Sequence, residues 1–227
     1  MWASKVERFG DEQPGQPTVT GFIHYPATLS GDAIILAHSA GTNCESPLLV
    51  ALAVAFSFGG FTVLRCDLPF RQLRPKGRPL GTFAARDQAG LKRAVELVKG
   101  RISKRVYLGG HAYGGHQASL LAASESSLVS GLLLLSYPLH PPQQPTQLRT
   151  FHFPSLRTPA LFVQASRDPF GTPQEVGEAL AMLTTRAKLL VVKNARQDLL
   201  TESNRSSLPL MVVNEFRDFF GEIQSTK

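Results

Sequence analysis

Five short, unbroken apolar runs narrow the folds open to this 227-residue chain: "AIILAH" at 33–38, "FTVLRCD" at 61–67, "GLLLLSYP" at 131–138, "ALFVQAS" at 160–166 and "KLLVVKN" at 188–194. Each is too short for a buried helix and ends in polar or turn-forming residues, as a central parallel strand covered on both faces does. Longer amphipathic segments separate them. The alternation predicts an α/β fold, a mostly parallel central sheet with helices on both faces. Strands are expected near 17–24, 33–37, 61–66, 105–109, 130–136, 159–164 and 187–192, and helices near 46–58, 81–99, 113–125, 172–184 and 208–220. No internal linker or repeat interrupts the pattern, so residues 1–227 are expected to form a single domain with no room for a large inserted cap.

Composition agrees with a packed, soluble protein: 43% hydrophobic and 18% charged residues leave enough apolar surface to offset the entropy of ordering, which excludes a disordered chain. The formal charge of +7 is spread along the chain and forms no basic run, which favours a solvated basic surface over nucleic-acid binding. Cys44 and Cys66 belong to no metal or redox motif and read as free thiols in a reducing compartment. The start "MWASKVERFGDEQPGQ" has no apolar signal core, and no run reaches the length of a membrane span. The expectation is a cytoplasmic protein without nucleic-acid or membrane partners. The Asn204-Arg205-Ser206 acceptor pattern then carries little weight. No zinc spacing, P-loop or complete dinucleotide fingerprint is present, so no metal and no cofactor is expected.

In a parallel sheet, ligands bind beyond the carboxyl ends of the strands, which points to 38–43, 67–71, 111–113, 137–140, 167–170 and 194–198. The junction between the strand expected at 105–109 and the helix expected at 113–125 reads "GGHAYGG" (109–115), the punctuation of a nucleophile elbow, G-x-S-x-G, with Ala112 at the apex. A hydrolase of this kind sets a serine there, an acid after a later strand and a histidine after the last strand, so that the imidazole bridges hydroxyl and carboxylate. The acid is present as Asp168. The histidine position, after "LLVVKNAR", is Gln197. The backbone N–H groups of Ala40 and Tyr113 would form the oxyanion hole, and backbone donors survive side-chain replacement.

These motifs resemble the α/β-hydrolase superfamily. Within it they resemble the small cap-less group related to dienelactone hydrolases, which includes a testis-expressed hydrolase-like protein and a hydrolase-like subunit of a nuclear acetyltransferase complex. The matching pieces are "LAHSAGTN", "GFTVLRCDLPFRQ", "GGHAYGGHQAS", "GLLLLSYPLHPP", "TPALFVQASRDPFG" and "LLVVKNARQDLL", in order along nearly the whole chain. The resemblance implies serine at Ala112, glycine at Ala165 and Arg196, and histidine at Gln197, four departures expected at strand ends facing the crevice. Gly110, Gly114, Gly115, Pro138, Asp168 and Pro169 keep the family's residues.

Loss of the nucleophile or the base alone costs roughly a millionfold in a serine protease, so ordinary acyl-enzyme chemistry is not expected. Asp168 serves equally as a turn or cap residue, free to hydrogen-bond Gln197. His38, His111 and His116 are each more plausible as packing residues than as a replacement base, and Ser39 as part of the oxyanion turn than as a nucleophile. Arg71, Arg74, Lys76 and Arg78 clamp an anionic substrate or form a solvated loop. Phe70, Tyr137, His140, Phe170 and Arg196 complete the expected pocket. Three functions stay open: a disabled acyl hydrolase that keeps its small-molecule crevice, a site rebuilt for proton transfer or lyase-type chemistry, or a binding and scaffolding module. The sequence leaves the oligomeric state open.

Overall fold

A computed structural model of the chain describes residues 5–225 except Ser103, with side chains described as far as Gly221. The strands are β1 (Lys5–Asp11), β2 (Val19–Tyr25), β3 (Ala33–Ala37), β4 (Thr62–Asp67), β5 (Val106–His111), β6 (Leu132–Leu135), β7 (Ala160–Ala165) and β8 (Ala187–Val192). The helices are α1 (Pro47–Phe58), α2 (Pro69–Leu73), α3 (Ala84–Lys99), α4 (Tyr113–Ser124), α5 (Pro173–Leu180) and α6 (Leu208–Ser225).

All eight strands join one sheet in the order β1-β2-β4-β3-β5-β6-β7-β8. Only β2 runs against its neighbours; β4 through β8 pair in parallel. The unbroken apolar runs become strands with no exposed face: every residue of β3, β5, β6 and β7 is buried. One face is covered by α3, α4 and α5 through Leu91, Val95, Leu121 and Val176, the other by α1 and α6 through Leu49, Phe56, Phe216 and Phe219. Fully burying such side chains contributes about 1.5–3 kcal/mol apiece. The seam between α1 and α6 is aromatic, with Phe56 and Phe216 meeting edge-on at 5.1 Å and Tyr107 against Phe216 at 4.9 Å. This is the α/β-hydrolase fold without a large cap.

Three elements depart from the expectation. The N-terminal strand β1 buries only Phe9 of its seven residues, so its apolar pattern is too thin to read as a strand. The stretch between the strand expected at 61–66 and the helix expected at 81–99 holds the short helix α2, which Pro69 starts at a position where the missing N–H costs nothing. The helix expected over 172–184 ends at Leu180. The 136–159 segment stays irregular apart from one 3-10 turn at Phe153–Ser155, and with the 74–81 segment it borders the carboxyl ends of the strands.

Candidate functional site

The turn between β5 and α4 is tight because glycines allow it. A Cβ on Gly110 would lie 2.5 Å from the Gly115 nitrogen, on Gly114 2.5 Å from the His38 carbonyl oxygen, and on Gly115 2.6 Å from the Gly110 carbonyl oxygen. At the apex Ala112 takes φ 47° and ψ −109°, a left-handed conformation that a residue with a Cβ adopts at a cost of about 1–3 kcal/mol. Its N–H donates to the Leu135 carbonyl at 2.8 Å and its carbonyl accepts from His116 at 2.9 Å. The methyl group opens α4 without a side-chain cap. Tyr113 is the first helical residue, so its N–H has no acceptor within the helix.

Above the apex lies a cleft of about 590 Å³, lined among others by Ser39, Ala40, Thr42, Arg78, Ala112, Tyr113, His116, Arg149, Phe170, Gln197 and Asp198. It lies at the carboxyl ends of the strands, and it brings together Ala40, Tyr113, Ala112 and Gln197 as the motif order anticipates. A larger hollow of about 650 Å³ lies elsewhere, lined by Ile23, Tyr25, Val98, Lys104 and their neighbours, and holds none of these groups.

Two devices hold the cleft floor. Asp87 on α3 is fully buried; its carboxylate accepts from Tyr113 Oη at 2.7 Å and from the Phe70 N–H at 2.9 Å. Burial pushes its pKa up, opposed by those two bonds. Phe70, itself fully buried, stacks edge-on with Tyr113 at 5.6 Å and against His38 at 5.5 Å. The second device is Arg71, 7% exposed, whose guanidinium donates to four carbonyls: Ala40 at 2.7 Å, Thr42 at 2.8 Å, Arg74 at 3.0 Å and Gly77 at 3.0 Å. All of these acceptors are backbone, two of them in the turn after β3. Arg71 therefore staples that turn to the 74–77 loop, and it does not line the cleft.

Histidines cluster around the site, yet most are committed. His38 is fully buried, accepts the Leu68 N–H on Nε2 at 3.0 Å and donates from Nδ1 to the Ser39 carbonyl at 2.7 Å; burial drives its pKa down to about 4. His111 donates from Nε2 to the Gln197 carbonyl at 2.8 Å, pinning the turn after β8, and burial lowers its pKa. His140 donates from Nδ1 to the Pro141 carbonyl at 2.8 Å. Tyr137 is buried behind the cleft and donates to the Arg149 carbonyl at 2.7 Å. His116 lines the cleft; its Nε2 is buried without a partner, and burial holds its pKa at about 3.

Asp168 is 3% exposed. Its Oδ1 accepts the Phe170 N–H at 2.9 Å and its Oδ2 accepts from Gln164 Nε2 at 3.2 Å, while burial pushes its pKa up to about 6. The Ser136 hydroxyl beside it favours the carboxylate without meeting the geometry of a hydrogen bond. Gln197, half-buried on the cleft wall, is bound through its carbonyl to His111, and its side chain makes no hydrogen bond with Asp168 among the described residues. Of the four family departures, only Ala112 and Gln197 line the cleft. Ala165 is packed in the core, and Arg196 is exposed away from the lining, so the expectation that all four face the crevice is corrected. Arg149, which is not among the residues expected at the crevice, is on the cleft wall, and Arg71 is not. Among the described residues no group of three or more His, Cys, Asp or Glu could hold a metal ion, and no helix is long and apolar enough to cross a membrane.

With this geometry in view, the kinship is direct: residues 30–210 match the alpha/beta hydrolase domain family, and the chain belongs to it. Among solved structures it is similar to an alpha-beta serine hydrolase homologue from Coxiella burnetii (17% identity, TM-score 0.75, covering 92% of this chain and 96% of that one). It is likewise similar to a dienelactone hydrolase from Anabaena variabilis (18%, 0.73, 95% and 98%) and to a lidless serine hydrolase from Xanthomonas campestris (18%, 0.73, 95% and 94%). At these identities the likeness concerns the fold.

Proposed function

We propose that this protein is a hydrolase-derived domain that binds an acyl or carbonyl compound in the cleft above Ala112 and does not hydrolyse it. The observation that carries the reading is Ala112 itself: the apex of a fully formed strand-to-helix elbow, φ 47°, bears a methyl group where the fold's chemistry needs a nucleophile. Gln197 stands where the base is expected and has no proton-accepting nitrogen. The backbone N–H groups of Ala40 and Tyr113 are proposed to hold the ligand's carbonyl oxygen, since neither depends on a side chain. Asp168 then acts as a structural carboxyl, engaged by Phe170 and Gln164.

The rival in which the cleft is rebuilt for proton transfer has less support. His116 is the one histidine among the residues lining the cleft, and an imidazole held at about 3 is a weak base at neutral pH. Kinship with the small cap-less group rests on the order of its motifs. A reducing, cytoplasmic location is proposed from two thiols that are free and buried.

A fluorophosphonate probe tests the reading. The protein is expected to resist labelling, and a labelled serine overturns it. The double substitution Ala112→Ser with Gln197→His is expected to create measurable hydrolysis of p-nitrophenyl butyrate over the parent protein. Hydrolysis by the parent equal to that of the double variant also overturns the reading.

A further inference from the structure

Among the cations around the cleft, Arg149 is placed unlike the others. Its backbone is fixed at both ends, the N–H donating to the Leu139 carbonyl at 2.8 Å and the carbonyl accepting from Tyr137 Oη at 2.7 Å. Its side chain is half-buried and lines the cleft, and one Nη1–H donates to the Pro138 carbonyl at 3.0 Å. A guanidinium has five N–H donors, and no other side-chain bond and no carboxylate is paired with this one among the described residues. Partial burial of an unpaired cation costs free energy, and here burial pulls the guanidinium below its ordinary pKa. Arg71 shows the contrast: a more deeply buried guanidinium that gives four of its five N–H donors to protein carbonyls.

We propose that the ligand of this cleft is an acyl compound carrying a second, carboxylate group, which Arg149 binds through its planar fork of donors. The proposal rests on the reading that the Ala40 and Tyr113 N–H groups hold the ligand's carbonyl. The charges facing the cleft are those of Arg78 and Arg149 against Asp198, a balance of one positive charge that suits a monoanion. His116 contributes none at neutral pH, being held unprotonated. A volume of about 590 Å³ is ample for such a small molecule.

The probes are monomethyl adipate, dimethyl adipate and inorganic phosphate, titrated against the protein with two-dimensional amide NMR as the readout. Monomethyl adipate is expected to shift amides around Ala40, Tyr113 and Arg149 and to bind at least about tenfold more tightly than the diester, the equivalent of about 1.4 kcal/mol. Arg149→Gln is expected to remove that advantage, Arg149→Lys to keep part of it, and Asp198→Asn, away from the staple and the elbow, to strengthen monoacid binding several-fold. Equal binding of monoacid and diester overturns the carboxylate assignment and leaves the carbonyl-binding reading standing. Competition by inorganic phosphate at the affinity of the monoacid overturns the carboxylate assignment too. Binding of neither ester overturns both.

Discussion

Acidification is expected to destabilise this protein well above the pH at which its surface carboxylates titrate. His24, His38 and His152 are 1%, 0% and 5% exposed, and burial lowers the pKa of each from 6.5 to about 4. Their bonds fit neutral rings: Arg65 Nε donates to His24 Nε2 at 2.9 Å, Leu68 N–H to His38 Nε2, and His152 Nε2 meets Ser119 Oγ at 2.8 Å. Because the folded chain binds these protons less readily than the unfolded one, their contribution is intact above about pH 6.5 and is lost as pH falls toward 4. At about pH 5.5 the loss is set almost wholly by the unfolded value, between 1 and 2 kcal/mol per ring and roughly 4 kcal/mol for the three, provided each folded pKa lies below about 5. Asp168 works the other way. With its carboxyl pushed up to about 6, the folded chain takes up that proton first, so stability rises as pH falls through 6 toward the ordinary 3.8, returning about 1 kcal/mol by pH 5.5. The net loss is about 3 kcal/mol before His111 and the half-buried His116 add theirs in the same direction and Asp87, its carboxyl also raised by burial, opposes them, against a typical domain stability of about 5–15 kcal/mol. Urea unfolding followed by tyrosine and tryptophan fluorescence, at a series of pH values from 8 to about 5.5, measures this. His152→Gln, which keeps a hydrogen-bonding group near Ser119 and removes one titrating ring, should cut the drop by its single share. A free energy of unfolding that stays flat across that range would refute the neutral, buried assignment of these rings.

Arg71→Lys keeps the charge but loses the fork that reaches four carbonyls; with charged hydrogen bonds at about 1.5–3 kcal/mol each and water replacing some, we expect a loss of roughly 3 kcal/mol, or a melting point about 6–12 °C lower, and an unchanged melting point would disprove the staple. Gly114→Ala forces a Cβ to within 2.5 Å of the His38 carbonyl oxygen and 2.8 Å of the Ala37 one, and is expected to cost roughly 3 kcal/mol or prevent soluble expression. Gly41→Ala, where a Cβ meets nothing within 4 Å, serves as the control, and parental stability in both variants would contradict the close-packed turn.

The sheet was legible because its central strands are buried on both faces and so needed unbroken apolar residues, a signal that edge strand β1 with its single buried Phe9 does not carry. The elbow was legible for a related reason: Gly110, Gly114 and Gly115 are each demanded by a backbone approach under 3 Å, and such a demand leaves only one residue type. The arginines were not. Arg71 sits in the short helix α2 and Arg149 in a loop, both beside the crevice, and which one turns inward is decided by where backbone carbonyls come to rest after folding. Four carbonyls gather around Arg71 and one around Arg149. The histidines were hidden in the same way, since a ring's proton position follows from a partner tens of residues away, such as Leu68 for His38 or the Gln197 carbonyl for His111.

The strained apex shows why a frame of this kind can lose its chemistry and keep its shape. The φ of 47° at Ala112 is imposed from outside the residue, by the glycine contacts beneath it, by its N–H on Leu135 and by its carbonyl under His116. No bond in that set involves the atoms beyond Cβ. A change of the apex side chain between hydroxymethyl and methyl therefore leaves the turn, and the direction of the Tyr113 N–H, where they were. The turn after β3 is protected differently: releasing Ala40 and Thr42 from Arg71 would take away two of the four carbonyl acceptors of a buried guanidinium, at about 1.5–3 kcal/mol for each charged hydrogen bond. Stability thus holds the two backbone donors in place and is indifferent to the nucleophile. On these grounds the binding half of the site resists change by mutation and the reacting half does not, as the proposed function requires.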